Sequence, residues 1–549
     1  METSNGVVGK RNLTALTRRR FLGTAGALVG SSWLAGLPGC SGRREGLEQA
    51  RRKAVERRRR LILDDDGDLV YDPEAAKGAE AFAGLRVQPI LGTPVDSIAW
   101  CIMWGIAQGP GQTRYWQTQQ QNRPLNDAIH DPTPVMVEGI HRNGLEVFGS
   151  IRMNDTHDAF GMPEGKLVYP LKVAHPEWLL GERSQKGSPF TTLEAAVWSG
   201  LNFAIPEVRE DRLWWVRHSA ENYDLDGIDL NFFRMPWYFK PGEEEAGAPL
   251  MNELIQGAHR IVRRVSESRQ RPLLLGVRVP GTLQACNRIG LDVETWLKQG
   301  WVDRMLIGGG YTVFTNPARE LVKLGHRHDV PVYPCINCGL QVFGSDETMR
   351  GAAANIFQAG ADGIYLWNYH YRQVPMLAYG RPVPEAYGLL EDIGSASSLQ
   401  FRDKRFGVDY IQNIGPYAIA SHPGRLPLEL SRGNPGPAAA VELPVGDDLE
   451  AAGTSGRPVT VRLDLDVEGL NRGEHIAGRF NGEEVALKAG EPSGEDAPEG
   501  LEHLGGPVQA ARVRQGTNRL EVWVEKGGGR GDGLTLRGVW LTVTYPPAA

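Results

Sequence analysis

The sequence has little cysteine, no excess of positive charge, and no uninterrupted apolar run long enough to cross a membrane. Five cysteines stand in 549 residues: Cys40, Cys101, Cys286, Cys335 and Cys338. That is too few for a disulfide framework holding a chain of this size. Cys335-Ile336-Asn337-Cys338 has the spacing of a redox or zinc pair, but no second CxxC or HxxxH accompanies it. Small buried or rim residues at a strand end are therefore the expectation. The formal net charge is −6, which argues against a nucleic-acid binder, whose footprint would be basic. The apolar stretch Leu22–Leu37 is rich in Gly and Ala and is broken by Ser31-Ser32, so a stable spanning helix is not expected there.

What is present begins with an address. Thr17-Arg18-Arg19-Arg20-Phe21-Leu22 matches a twin-arginine export signal, which a translocase reads on proteins that are already folded. Leu37-Pro38-Gly39-Cys40 resembles a lipobox, with proline where a small residue is usual, and makes Cys40 the candidate lipid anchor. Residues 1–40 are thus read as a leader, and the expected destination is the periplasm or the cell surface. Residues 41–63 are basic and helix-prone, with Arg57-Arg58-Arg59-Arg60 as their densest run, and suggest a solvated helix beside the membrane surface. Leu61-Ile62-Leu63 then reads as a short strand running into the acidic turn Asp64–Asp68. That turn resembles half of a calcium loop, but the downstream Glu of an EF-hand is out of register, so it is taken as a barrel-entry loop.

Hydrophobic residues make up 41% of the chain, enough for real cores, and the length suits two folded domains. From residue 64 to 395 apolar strands alternate with amphipathic helices, the pattern of a parallel sheet. Strands are expected at Ser97–Met103, Leu145–Met153, Gly227–Phe233, Leu273–Val279, Arg304–Ile307, Val332–Ile336 and Gly363–Trp367. A weak third strand near Leu201–Ala204 brings the count to eight, which closes a (β/α)8 TIM barrel with its site at the strands' C-terminal ends. Residues 396–549 lose helical periodicity, and Gly/Pro-rich stretches separate short alternating segments, as in a small β-sandwich. The segments are Val459–Leu465, Ile476–Phe480, Val508–Val513, Arg519–Val524 and Val539–Thr544. Gln515–Val522 and Phe480–Val485 resemble turns of the galactose-binding-like jelly rolls appended to many glycosidases. The two cores look independent in composition.

Chemistry concentrates where strands end. Arg152, Asn154, Asp155, His157 and Asp158 crowd the loop after the strand at Leu145–Met153. In Gly227–Arg234, period-2 alternation puts Asp229 and Asn231 on the inward face, opposite Ile228, Leu230 and Phe232. Polar residues inside a barrel need partners, and Arg234 and Arg278 are natural ones. Tyr365-Leu366-Trp367-Asn368-Tyr369-His370-Tyr371 ends the last strand as an aromatic platform with amide and imidazole donors for a sugar. Gly308-Gly309-Gly310-Tyr311 offers close backbone approach, and Asn337 ends the strand before the last.

Taken in order, Asp64–Asp68, Thr93-Pro94-Val95-Asp96, Arg152–Asp158, Pro206–Arg209, Asp226–Arg234, Arg278-Val279-Pro280 and Gly360–Tyr369 resemble the glycosyl-hydrolase-like family 10 barrels of exported bacterial proteins. The resemblance spans Asp64 to Asp392 and implies a carbohydrate substrate. Related chains carry Asp where this one has Asn231, and an acid where it has Gly281. The pair expected for general acid/base hydrolysis is Asp229 with Asp155 or Asp158. Substrate contacts are expected from Arg152, Asn154, His157, Asn231, Arg234, Arg278, Tyr311, Asn337, Trp367, Asn368 and His370. No cofactor or metal is needed on this reading. Two alternatives stay open: a non-catalytic glycan-binding lipoprotein, and a metal-dependent sugar lyase or isomerase with Asp155, His157 and Asp229 as ligands.

Overall fold

In the computed structural model, the described residues are 38–67, 69, 72–102, 106–109, 112–115, 129, 131–160, 169–182, 197–309, 316–338, 345–370, 383–408, 419–420, 425–490, 501–527 and 533–546. The twin-arginine segment and Tyr311 lie outside them. Eight parallel strands close a barrel in chain order: β1 Leu61–Asp65, β2 Val95–Cys101, β3 Glu146–Arg152, β4 Gly227–Asn231, β5 Leu274–Val279, β6 Arg304–Ile307, β7 Val332–Asn337 and β8 Ile364–Trp367. Ring closure is set by β1, where Leu63 pairs with Ile98 on one side and with Leu366 on the other. Seven strands fall where the alternation placed them. The eighth is a correction: Leu201 makes only an isolated bridge to Leu179, and Leu61–Asp65 supplies the missing strand. The barrel therefore begins at Leu61, and the Arg152–Asp158 loop follows the third strand, not the second.

The strands are buried on both faces, as expected of a parallel sheet wrapped by helices. Helices Ala79–Val87, Pro132–Arg142, Pro206–Asn222, Glu244–Arg269, Arg319–His326, Asp346–Gln358 and Val383–Ile393 lie between or after the strands. Inward-facing Ile62, Ala99, Leu306, Tyr333, Cys335, Tyr365 and Trp367 pack into a separate apolar cluster. Cys335 and Cys338 are buried and in no disulfide, in accord with the expectation of small buried residues at a strand end.

The basic segment forms a helix up to Val55 and leaves Arg52, Lys53, Arg57 and Arg58 exposed, but Arg59 and Arg60 follow the helix and are not solvated as expected. Arg59 is fully buried and grips Glu146 with two hydrogen bonds, 2.7 Å from Nε to Oε2 and 3.0 Å from Nη2 to Oε1. Arg60 closes on Asp96 through its backbone N–H, Nε and Nη2, at 2.7, 2.9 and 2.7 Å. Arg51, on helix α1 (Pro38–Val55), pairs with Asp303. The Arg59 and Arg60 pairs are bidentate contacts at the N-terminal end of the barrel strands, where guanidinium geometry matches carboxylate geometry.

Beyond residue 403 two antiparallel sheets form. One runs Lys404–Gly407, Thr535–Thr544, Thr460–Glu468, Leu501–Val508, Lys488–Ala489, and the other Ala439–Val445, Gly516–Lys526, His475–Phe480, Glu483–Val485. Val508–Val513 is not a strand, because the chain turns through a short 3-10 helix at Ala510–Arg512. Alternate residues of Thr460–Glu468 are buried, including Leu463 and Leu465. The hydrophobic cores of barrel and sheets are one continuous cluster, which corrects the expected independence. Close docking explains why: a Cβ on Gly351 of the helix Asp346–Gln358 would stand 2.1 Å from the Arg405 carbonyl oxygen.

Candidate active site

Alternation on β1 sends Asp64 inward and Asp65 outward, and Asp66 returns toward the mouth. Asp65 is used locally, accepting from Arg86 Nε at 2.6 Å and from the Gly67 N–H at 2.9 Å. Asp64 accepts from the Tyr365 hydroxyl through Oδ1, while its Oδ2 is buried with no hydrogen-bond partner. Burial, with the Asp66 charge adding to it, pushes the Asp64 carboxyl up to about 8. Asp66 experiences the opposite field. Burial would raise it, but Arg152 and Arg234 outweigh burial and hold it well below the usual carboxylate range.

Arg152 is the hub of the ionised groups. Its guanidinium reaches Asp66 Oδ1 at 2.6 Å and Asp155 Oδ2 at 2.7 Å. Asp155 in turn accepts from the His157 backbone N–H at 2.9 Å and contacts His157 Nδ1 at 2.5 Å. Burial raises the Asp155 carboxyl less than His157, Arg152 and Arg234 lower it, so it lies well below its ordinary value. Arg234 Nη2 stands 2.7 Å from His157 Nε2. A guanidinium has no acceptor, so Nε2 must accept and the ring proton sits on Nδ1, facing Asp155.

Several expected site residues have other work. Asp229 is locked to Arg304, with Arg304 Nε 2.9 Å from Oδ1 and the second nitrogen on Oδ2, both side chains being almost wholly buried. Its partner is neither Arg234 nor Arg278, and it lies deeper in the barrel than Asp155 because β4 carries it one inward position before Asn231. Asp158 is buried against Lys172 Nζ and Ser199 Oγ, both at 3.1 Å, and fastens its own loop. Asn154 donates to the Leu201 and Trp237 carbonyls at 3.0 and 2.7 Å and accepts from the Leu201 N–H at 3.0 Å. Asn231 Oδ1 caps the Phe233 and Arg234 N–H groups, both at 3.1 Å, so its oxygen holds the β4 exit loop.

The platform is also not open as drawn. Trp367 is buried, and the guanidiniums of Arg234 and Arg278 lie 5.5 and 5.4 Å from its ring centre. Asn368 is held at φ 54 and donates to Asp66 Oδ2 at 3.4 Å. Asn337 and His370 are buried at the ends of β7 and β8. Among the described residues no group of three or more His, Cys, Asp and Glu side chains is arranged to hold a metal. The ligand set Asp155, His157 and Asp229 is not assembled, because Arg304 keeps Asp229 apart.

Asp64 and Asp66 were read only as part of an entry loop, and Tyr365 only as part of the aromatic platform. Their signal was there: a three-residue apolar run followed by three successive acids is how a short barrel strand ends.

No protein-family model and no curated protein matches the chain. Similar solved structures include α-L-fucosidase isoenzyme 2 from Paenibacillus thiaminolyticus, at 12% identity and TM-score 0.38, covering 62% of this chain and 49% of that one. The glycoside hydrolase domain of PgaB (BpsB) from Bordetella bronchiseptica is similar at 11% identity and TM-score 0.36, covering 62% of this chain and 99% of that one. An α-galactosidase from Thermus thermophilus is similar at 16% identity and TM-score 0.34, covering 64% and 65%. This chain spans about half the length of the fucosidase. These similarities carry no assignment of reaction or substrate.

Proposed function

We propose that the barrel hydrolyses glycosidic bonds of an extracellular poly- or oligosaccharide, with Asp64 as proton donor and Asp66 as the ionised carboxylate. The observation that carries this reading is the pair of carboxyls two residues apart at the end of β1, driven to opposite protonation states by their surroundings. Two carboxyls whose environments separate their pKa values are what acid and base roles at one pH require. Asp155 and His157 then act as positioning groups. Arg152 tethers both ionised carboxylates, and His157 fixes Arg234 over the ring of Trp367. The resemblance to the glycosyl-hydrolase-like family 10 barrels belongs to this proposal. So do the jelly-roll character of the C-terminal sheets, twin-arginine export and the lipid anchor at Cys40.

A glycan-binding barrel without turnover is the second reading. It is favoured by the same Arg152, whose grip on Asp66 and Asp155 suits fixed acceptors for sugar hydroxyls. Asp64→Asn separates the two. As a proton donor, Asp64 gives a variant that loses turnover by about 100-fold or more while still binding the polysaccharide. Turnover that survives the change intact refutes the donor role. Turnover by neither protein on any glycan, with binding kept in both, establishes the second reading.

A further inference from the structure

Among the described residues, the three arginines of the mouth are held in different ways. Arg152 is shared between Asp66 and Asp155, and Arg234 is engaged by His157. Arg278 is different. It is 2% exposed, yet no described carboxylate forms an ion pair with it. Its one hydrogen bond is a donation from Nη2 to the Cys335 Sγ at 3.6 Å, a weak acceptor, and its buried Nε has no partner. Its guanidinium instead lies among three rings, 5.1 Å from Tyr365, 5.4 Å from Trp367 and 5.8 Å from Phe233. Asp64 and Asp66 act on it through space without pairing.

A guanidinium kept dry with so few acceptors is costly, because ring faces replace only part of the lost hydration. Its planar fork is shaped for two parallel bonds to a carboxylate or a similar oxyanion. Arg278 also stands on β5 beside Asn231 of β4, at the end of the strands that faces the site. Gly309 keeps the neighbouring backbone close: a Cβ there would lie 3.2 Å from Arg278 Nη2 and 2.1 Å from Cys335 Sγ.

We infer that the glycan taken by this site is anionic, and that Arg278 receives the charged group of one sugar, a uronate carboxylate or a sulfate ester. This rests on the carbohydrate reading of the mouth and narrows its substrate class. An incoming oxyanion supplies the acceptors that Arg278 lacks and restores neutrality to the upper layer of the barrel.

The test is calorimetric titration of the whole protein with galacturonan oligosaccharides, sulfated galactan oligosaccharides, and neutral galactan and cellulose oligosaccharides of equal length. The wild type is expected to bind one charged series in preference to the neutral ones, and the series bound tells carboxylate from sulfate. Arg278→Met should weaken that binding about 100-fold, the loss of two charge-assisted bonds, and Arg278→Lys, which keeps charge without the fork, about tenfold. Arg278→Met should melt no lower than wild type, since it removes an uncompensated buried charge. Equal binding of neutral and charged oligosaccharides, unchanged in Arg278→Met, overturns the inference and leaves the carbohydrate reading standing. An Arg278→Met protein that melts well below wild type assigns Arg278 a structural role and also overturns it. Failure to bind any of the four series overturns both readings together.

Discussion

Asp229→Ala should destabilise the barrel rather than disable its chemistry. Asp229 and Arg304 are 1% and 0% exposed at their side chains, and they face each other across adjacent inward positions of β4 and β6 with Gly276 of β5 between. There is no slack: a Cβ on Gly276 would sit 2.0 Å from Asp229 Oδ1. The Arg304 guanidinium also lies 3.1 Å from the ring centre of Phe148, and its Nη1 has no other partner. Removing the carboxylate strands this cation in an apolar interior, at a cost of about 3–5 kcal/mol. In a protein of this size that is a loss of several degrees in melting temperature. Arg304→Met in the same chain should recover most of the loss, because the charge that needed a partner is then gone. Differential scanning calorimetry of the two single variants and the double variant measures the coupling directly. A single Asp229→Ala variant that melts within a degree of wild type but loses turnover would refute this reasoning and return Asp229 to the catalytic machinery.

Other expectations follow from the same contacts. Because Asp64 titrates near 8 in the folded state and near 3.8 unfolded, the native state holds its proton longer. Stability from this group therefore falls as pH rises from about 4 to about 8, by up to about 1.4 kcal/mol per pH unit, and Asp64→Asn should flatten that decline in a pH series of melting curves. A decline as steep in the variant would mean another group is responsible. Asp155 works in the opposite sense: its carboxyl is lowered by folding, so its contribution is present above about pH 4 and is lost on acidification, and Asp155→Asn should reduce acid sensitivity. Gly351→Ala should separate barrel from sheets, seen as faster proteolysis between them, since the added methyl meets the Arg405 carbonyl. Lysine at both Arg18 and Arg19 should trap precursor in the cytoplasm, and unchanged export removes the twin-arginine reading.

Seven of the eight barrel strands were legible because each is a buried run of four to seven residues flanked by helical periodicity. The eighth was not, and the reason is local. Leu61-Ile62-Leu63 reads as a short strand, but the basic run before it looked like a surface helix and the acids after it like an entry loop, so it was left out of the barrel and Leu201–Ala204 was counted in its place. Each of those signals reflects a role in the barrel: Arg59 and Arg60 neutralise Glu146 and Asp96, and Asp64 completes the mouth. Polar residues at strand ends stand out in the sequence as a group, but alternation gives a side chain's face and not its partner. That is why Asp229 was matched to Arg278 when Arg304, at the start of β6, is the one that reaches it. Asn154, Asp158 and Asn231 illustrate the same limit, since side chains that brace a loop have the composition of side chains that bind a ligand.

The depth of each charge in the barrel is what separates support from site. At the N-terminal end of the strands, Arg59 meets Glu146 through two hydrogen bonds, with the half-exposed Arg57 at 3.5 Å from the same carboxylate. Further in, Arg304 likewise meets Asp229 through two hydrogen bonds. Buried charges are tolerated only when compensated, so these two layers need nothing from outside and have no reason to bind anything. The upper layer breaks the pattern. Arg152, Arg234 and Arg278 face the ionised Asp66 and Asp155, and the third carboxyl, Asp64, is driven toward its neutral form by burial and by Asp66. Protonating Asp64 relieves repulsion between two acids but leaves the arginines in excess among the described residues. Both features then belong to one layer: a carboxyl pushed toward its neutral form by burial and by an ionised neighbour, and a guanidinium whose fork meets no carboxylate among the described residues.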